Sequence, residues 1–197
     1  MPGKISDFLN QFTADLARPS RFMVSIRPPS DFGTGIGTVG LSWRCEVANL
    51  PGRNISTIEQ KTYGPFEKFA YHTSYSDIDL TFIMDGDMGL KYFFDAWINS
   101  INPTNDFNIE YKDNYVADIN ITQYDMGNNE TYSVKLIDAY PININQLDLD
   151  WSNDGYHKLT VTFAYTYWIN DSQNDSSPVM GVGNNPADSQ QDNLETQ

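Results

Sequence analysis

Between Lys158 and Tyr167 every second residue is bulky and apolar or aromatic. Leu159, Val161, Phe163, Tyr165 and Tyr167 fall on one side, and Lys158, Thr160, Thr162, Ala164 and Thr166 on the other. A repeat of two matches an extended strand, whose side chains point alternately to opposite faces, and the apolar face requires a core to cover it. The same alternation recurs through Phe22, Val24 and Ile26; through Leu41, Trp43, Cys45 and Val47; and through Ile78, Leu80, Phe82 and Met84. It returns at Ala117, Ile119 and Ile121, and again at Tyr132, Val134 and Leu136. One-sided strands of this kind build antiparallel sheets with one face wet, so the expected fold is mainly β, an antiparallel sandwich or barrel.

Punctuation supports these limits. Pro28-Pro29 end the first strand, Pro51-Gly52 end the second, and Met126-Gly127-Asn128-Asn129 make a hairpin turn. Pro141 cannot donate to a ladder, so a bend, bulge or edge is expected there. Asp85-Gly86-Asp87 supplies a turn and a possible cap. Leu90, Phe93, Phe94, Trp97, Ile98 and Ile101 then follow at helical spacing, and Asn102-Pro103 close a helix over 87–101. A shorter N-terminal helix is expected from Ile5, Phe8, Leu9, Phe12 and Leu16, stopped by Pro19.

Two stretches lack a period. Residues 28–40 are glycine-dense and read as a loop insertion, and residues 51–75 form a long excursion with a short strand near Ile55–Gln60. Tyr63, Phe66, Phe69, Tyr71 and Tyr75 sit in that excursion and argue for an ordered contact surface over simple disorder. The β domain therefore spans 1–169. Residues 170–197 hold Asp171, Asp175, Asp188, Asp192 and Glu195 with no Lys or Arg, and read as a flexible acidic tail.

Charge narrows the function. The chain has 197 residues, with 12 Lys and Arg against 26 Asp and Glu, a formal net charge of -14. Gripping a phosphate backbone needs clustered cations that release counterions, so nucleic-acid binding is disfavoured. Its one cysteine, Cys45, excludes an intrachain disulfide framework and is expected in the core. No run approaches the ~18 apolar residues of a membrane span. Asp7 and Asp15 interrupt the stretch where a secretory signal would be apolar, so assembly in the cytosol is expected. The five Asn-x-Ser/Thr sequons, at Asn54, Asn120, Asn129, Asn170 and Asn174, then read as chance.

Catalytic chemistry finds little footing. The run Gly33-Thr-Gly-Ile-Gly-Thr-Val-Gly40 leads into a β pattern, whereas a dinucleotide loop opens a helix. Asp77/Asp79, Asp85/Asp87 and Asp148/Asp150 are paired carboxylates, and glycosidases use two carboxyls about 5–10 Å apart. Yet Asp77 and Asp79 also suit the polar side of a strand, and Asp85 and Asp87 suit a turn and cap. Calcium at Asp85-Gly86-Asp87 would lack further oxygen ligands. His72 and His157 come with no nucleophile motif. No enzyme and no cofactor is expected, and the aromatic excursion stays open to two readings, glycan stacking or a protein contact.

Three stretches extend the reading. Ala17-Arg-Pro-Ser-Arg-Phe-Met-Val-Ser-Ile26 resembles the lead into the first strand of inner tail tube proteins of contractile-tailed bacteriophages. Cys45-Glu-Val-Ala-Asn-Leu-Pro-Gly-Arg-Asn-Ile55 resembles that family's second strand, running through a Leu-Pro turn into a long loop. The closing stretch 136–168, with Ala139-Tyr140-Pro141, then Leu147-Asp-Leu-Asp-Trp151, then a strand ending Tyr167-Trp168, is similar to the family's ending. The central helix with Phe94, Asp95 and Trp97 fits too. The likeness spans roughly 17–168; the insertion at 28–40 and the acidic tail depart from it.

The resemblance implies a tail-tube fold shared with type VI secretion tubes and hexameric rings stacked into a tube around a channel. It also implies a surrounding sheath protein, a tape-measure protein held during assembly, baseplate proteins below, and DNA passing without specific binding. The place implied is the phage tail of the virion, assembled in host cytoplasm. In that family the long loop reaches the adjacent ring, which makes Tyr63, Phe66, Phe69 and Tyr71 the expected inter-ring contact. Asp77, Asp79, Asp118 and Asn120 are the expected lumen-facing set, against the alternative that they face outward or a seam. A ring of six would carry six times the chain's charge of -14, repelling phosphate within a Debye length of about 10 Å. Two other readings stand beside this one: a tube–baseplate junction protein of the same fold, and a carbohydrate-binding β-sandwich.

Overall fold

The computed structural model describes residues 16–29, 38–61 and 63–171. Nine strands are assigned there: β1 Phe22–Arg27, β2 Cys45–Ala48, β3 Asn54–Gln60, β4 Glu67–Ser74 and β5 Ile78–Ile83 come first. After two helices follow β6 Ala117–Tyr124, β7 Glu130–Ile144, β8 Lys158–Ala164 and β9 Tyr167–Asn170. The helices are α1 Thr38–Arg44, α2 Gly89–Ile101 and the single turn α3 Lys112–Tyr115.

All strands but β3 and β4 belong to one antiparallel sheet in the order β1-β6-β7-β8-β5-β2, with β9 also on β7. The long strand β7 gives this sheet its shape. Its first part pairs with β6 and β9, and from Tyr140 onward it pairs with β8. The change falls at Asp138, whose φ of 56° is left-handed, and a register shift at Pro141/Asn143 follows it. A left-handed residue and a bulge both bend a strand, so the sheet folds over into two halves. One half is β1-β6-β7-β9 and the other β7-β8-β5-β2, the sandwich-like arrangement expected from the alternation.

Both halves turn their apolar sides into one core. Val24, Ile26, Ile119, Ile121, Val134 and Leu136 come from the first half, and Ile78, Leu80, Phe82, Leu159, Val161 and Phe163 from the second. Helix α2 covers this core with Leu90, Phe93, Phe94 and Trp97, all buried. The ring centroid of Phe94 lies 5.3 Å from Phe82 and 6.1 Å from Phe163, and Trp97 is 6.1 Å from Phe163. The indole also donates from Nε1 to Tyr115 O at 2.8 Å, satisfying its one polar atom and tying α2 to α3. Met88 takes the N-cap in a left-handed conformation, while Asp87 Oδ1 accepts the Gly89 N–H at 3.1 Å.

Five sequence expectations need correction. Residues 41–44 close helix α1 and are not part of a strand: Leu41 is buried whereas Trp43 is 77% exposed. Two residues on opposite sides is what a helical step of about 100° per residue produces, and the β pairing starts only at Cys45. Helix α1 also takes residues 38–40 out of the expected loop. The excursion at 51–75 is largely a β-hairpin: β3 pairs with a second strand, β4, that no period announced. The run from Lys158 to Tyr167 is two strands, broken after Ala164, and Asn170, expected in the tail, closes β9. The expected N-terminal helix at 5–16, apart from Leu16, the segment 30–37 and residues 172–197 lie outside the described residues.

Candidate functional site

The β3–β4 hairpin is built unlike the rest of the molecule. In the main sheet β1, β5, β6 and β8 each bury one face; on β3 and β4 nearly every residue of both faces is in water. Ile55, Ile58, Phe66, Phe69 and Tyr71 are all exposed, and Tyr63 at the tip is completely so. An isolated two-stranded hairpin is marginal in water, and this one has little beneath it. Its ladder runs from Asn54↔Ser74 to Gln60↔Glu67, aided by Lys68 Nζ at 3.3 Å from Glu59 Oε1 across the strands. At the tip Lys61 Nζ sits 5.1 Å from the centre of the Phe66 ring. The expected contact residues Tyr63, Phe66, Phe69 and Tyr71 thus lie on one projecting arm. Exposed apolar area of this density marks an interaction surface.

Asp77, Asp79, Asp118 and Asn120 do not form one cluster. Asp79 lies on the wet face of β5, where Thr162 Oγ1 donates to its Oδ1 at 2.7 Å, and Asp77 is exposed just before that strand. The same face carries Thr81 hydrogen-bonded to Thr160 at 3.0 Å, and Lys158 on Glu46 at 2.8 Å. Asp118 and Asn120 are on β6, in the other half of the folded sheet. There Asp118 accepts an ion pair from Lys135 at 2.8 Å. Asn120 Oδ1 is buried with no hydrogen-bond partner among the described residues. Since both halves face one core, their polar faces point away from each other.

The other candidates fall to structural roles. Asp85 pairs with Arg44. Asp150 accepts from Ser152 N–H at 3.0 Å and Ser152 Oγ at 2.9 Å, and these bonds hold its carboxyl below the ordinary range. Cys45 packs against the core, and burial pushes its thiol up to about 12, partly opposed by a hydrogen bond with the Val47 backbone. Among the described residues no group of three or more His, Cys, Asp or Glu is placed to hold a metal ion. Among them, too, no helix is long and apolar enough to cross a membrane.

The family model described as "Phage tail tube protein" matches residues 17–171, nearly all of the described fold. The chain belongs to the phage tail tube protein family. Solved structures agree with this chain in fold. A chain in the sixfold-symmetrised baseplate of the anti-feeding prophage superposes with a TM-score of 0.60 at 14% identity, over 80% of this chain and 97% of the other. One from the sheath/tube terminator of the extracellular contractile injection system PVC, in its extended state, gives 0.59 at 16%, over 80% and 98%. One from the extended sheath–tube complex of the same system gives 0.56 at 16%, over 85% and 97%. At such identities the likeness is one of fold. No curated protein matches the chain in sequence.

The exposed surface includes residues that the sequence did not single out. Leu149, Trp151 and Tyr156, in the connection from β7 to β8, are exposed as well, and Trp151 completely so. The signal was present as Leu-Asp-Leu-Asp-Trp, an apolar–acidic run too short to declare which residues would be covered.

Proposed function

We propose that the chain is the repeating subunit of an inner tail tube, forming hexameric rings that stack around a channel for DNA within a contractile sheath. The projecting β3–β4 arm carries this reading. It presents aromatic and branched side chains on both faces, a costly exposure for a lone subunit and a useful one for a subunit that packs against another ring. Family membership supports the tube; the relatives in a sixfold baseplate and a sheath–tube complex support the ring number and the sheath. The tape-measure protein and the baseplate are the further partners, and the phage tail is the place.

The half β7-β8-β5-β2 is the one we assign to the channel. Its wet face holds Asp77, Asp79 and Glu46 against Lys158, whereas the other half balances Asp118 and Asp171 with Arg27 and Lys135. An acidic wall lets DNA pass without adhering. On this assignment Asp118 and Asn120 look away from the lumen. Unpaired strand edges, a hazard in a monomer, give neighbours in the ring a place to pair.

The arm tests the reading. Replacing Tyr63, Phe66 and Phe69 with Ser leaves the melting transition of the domain in place and abolishes sedimentable tubes. Tubes of normal length from that variant would refute it. A second reading, the junction between tube and baseplate, draws on the baseplate and terminator relatives; it expects rings that stop after one or two layers.

A further inference from the structure

The register of the second half-sheet places two exposed surfaces at its opposite ends. At one end β2 finishes at Ala48, paired with Leu80, and β5 begins at Ile78; the β3–β4 arm is the connection between them. At the other end β5 finishes at Ile83, paired with Lys158, and β7 finishes at Ile144; the loop 145–157 joins β7 to β8 there. The six residues of β5 separate these ends by about 20 Å.

The two surfaces are complementary in charge. The arm and its base, 51–75, carry Arg53, Lys61 and Lys68 against Glu59 and Glu67, a net positive segment in a chain of charge -14. The loop carries Asp148, Asp150 and Asp154 and no Lys or Arg. They also match in kind. Trp151, Leu149 and Tyr156 stand out from the loop around a cleft of 370 Å³, which Asp148 and Asp150 also line. The arm offers Tyr63, Phe66 and Lys61 at its tip. Aromatic side chains in a ring of opposite charges are the usual anchors of a specific contact.

We infer that the 145–157 loop is the receptor for the β3–β4 arm of a second copy of this chain, so that the acidic cleft around Trp151 takes the basic, aromatic tip bearing Lys61. A contact between different patches at opposite ends of the subunit is heterologous and propagates without closing, as stacking rings requires. The inference rests on the tube reading and deepens it by naming the surface on which the arm lands.

Charge reversal with rescue tests it. D148K/D154K reverses the loop while leaving the Asp150–Ser152 turn intact, and K61E/K68E reverses the arm. Thermal melts of each verify folding, and sedimentation with negative-stain microscopy reads tube formation. Each reversed chain should lose tubes by about tenfold in pelleted fraction, and the chain carrying both reversals should regain them. Wild-type tubes alongside normal tubes from D148K/D154K would overturn this inference alone. Loss in both reversed chains with no recovery in the combined one would overturn the pairing of the two surfaces. A wild-type chain that never forms tubes would overturn the tube reading itself.

Discussion

Thr166 Oγ1 donates to Asp138 Oδ2 at 3.2 Å across the corner where the sheet folds over, and Lys112 Nζ reaches both, at 2.8 Å and 3.0 Å. Asp138 is the left-handed residue of β7, and Thr166 lies in the break between β8 and β9. The paired strands therefore bend at the same level, and one lysine from α3 holds both bends.

The corner depends more on backbone than on charge. A β-branched residue in a left-handed conformation costs about 2 kcal/mol, whereas an exposed ion pair contributes about 0.2–1 kcal/mol. Asp138→Val is therefore expected to lower the denaturant midpoint more than Lys112→Ala does. Equal effects would show that the ion pair, and not the turn, sets the corner.

Trp97 is the largest fully buried side chain among the described residues. Trp97→Ala is expected to destabilise the domain by about 3–5 kcal/mol, enough to unfold many domains of this size at growth temperature. Trp97→Phe keeps most of the packing and loses the hydrogen bond to Tyr115 O, so its unfolding midpoint should fall between the two. Loss confined to the α3 turn would instead mean that α2 is held elsewhere.

Cys45 makes the domain sensitive to alkali. Burial raises its folded pKa to about 12 from a reference of 9.0, so the neutral thiol is favoured in the fold. Its contribution is intact below the unfolded value and declines as pH rises from about 9 toward 12. Cys45→Ala should flatten this alkaline loss in urea titrations across pH 8 to 11. The native thiol should also resist alkylation at pH 8 and react once the chain is unfolded.

The β6–β7 turn responds at the other end of the scale. Asn129 donates to Asp125 from its side chain at 3.0 Å and its backbone at 2.8 Å, and these bonds hold the carboxyl below its ordinary range. A depressed folded pKa contributes stability above the unfolded value and loses it as pH falls through the folded one. Protection of the amides in this turn, taken relative to the unstructured exchange rate at each pH, should therefore fall as pH drops below about 4, and Asp125→Asn should remove that dependence.

What the sequence revealed follows from where burial is one-sided. The alternation in β1, β5, β6 and β8 is legible because each puts one face in the core. Strand β4, Glu-Lys-Phe-Ala-Tyr-His-Thr-Ser, exposes nearly all of both faces, so nothing filtered its residues into a period of two. The break between β8 and β9 left no trace for the opposite reason: both strands stay on β7, and the alternation runs through the bend. Leu41 and Trp43 imitated a strand because two residues in seven are too few to distinguish a strand from a helix. As for the site, the aromatic arm was visible as composition. Its separation from the 145–157 loop by the length of a strand exists only in the register.

The most direct test of the central claim is cryo-electron microscopy of the purified full-length chain over a concentration series. Long hollow tubes with six-fold cross-sections, arms bridging successive rings, are the expected result. A chain that stays monomeric at the highest concentration, even when seeded with preformed baseplate, would contradict the tube reading.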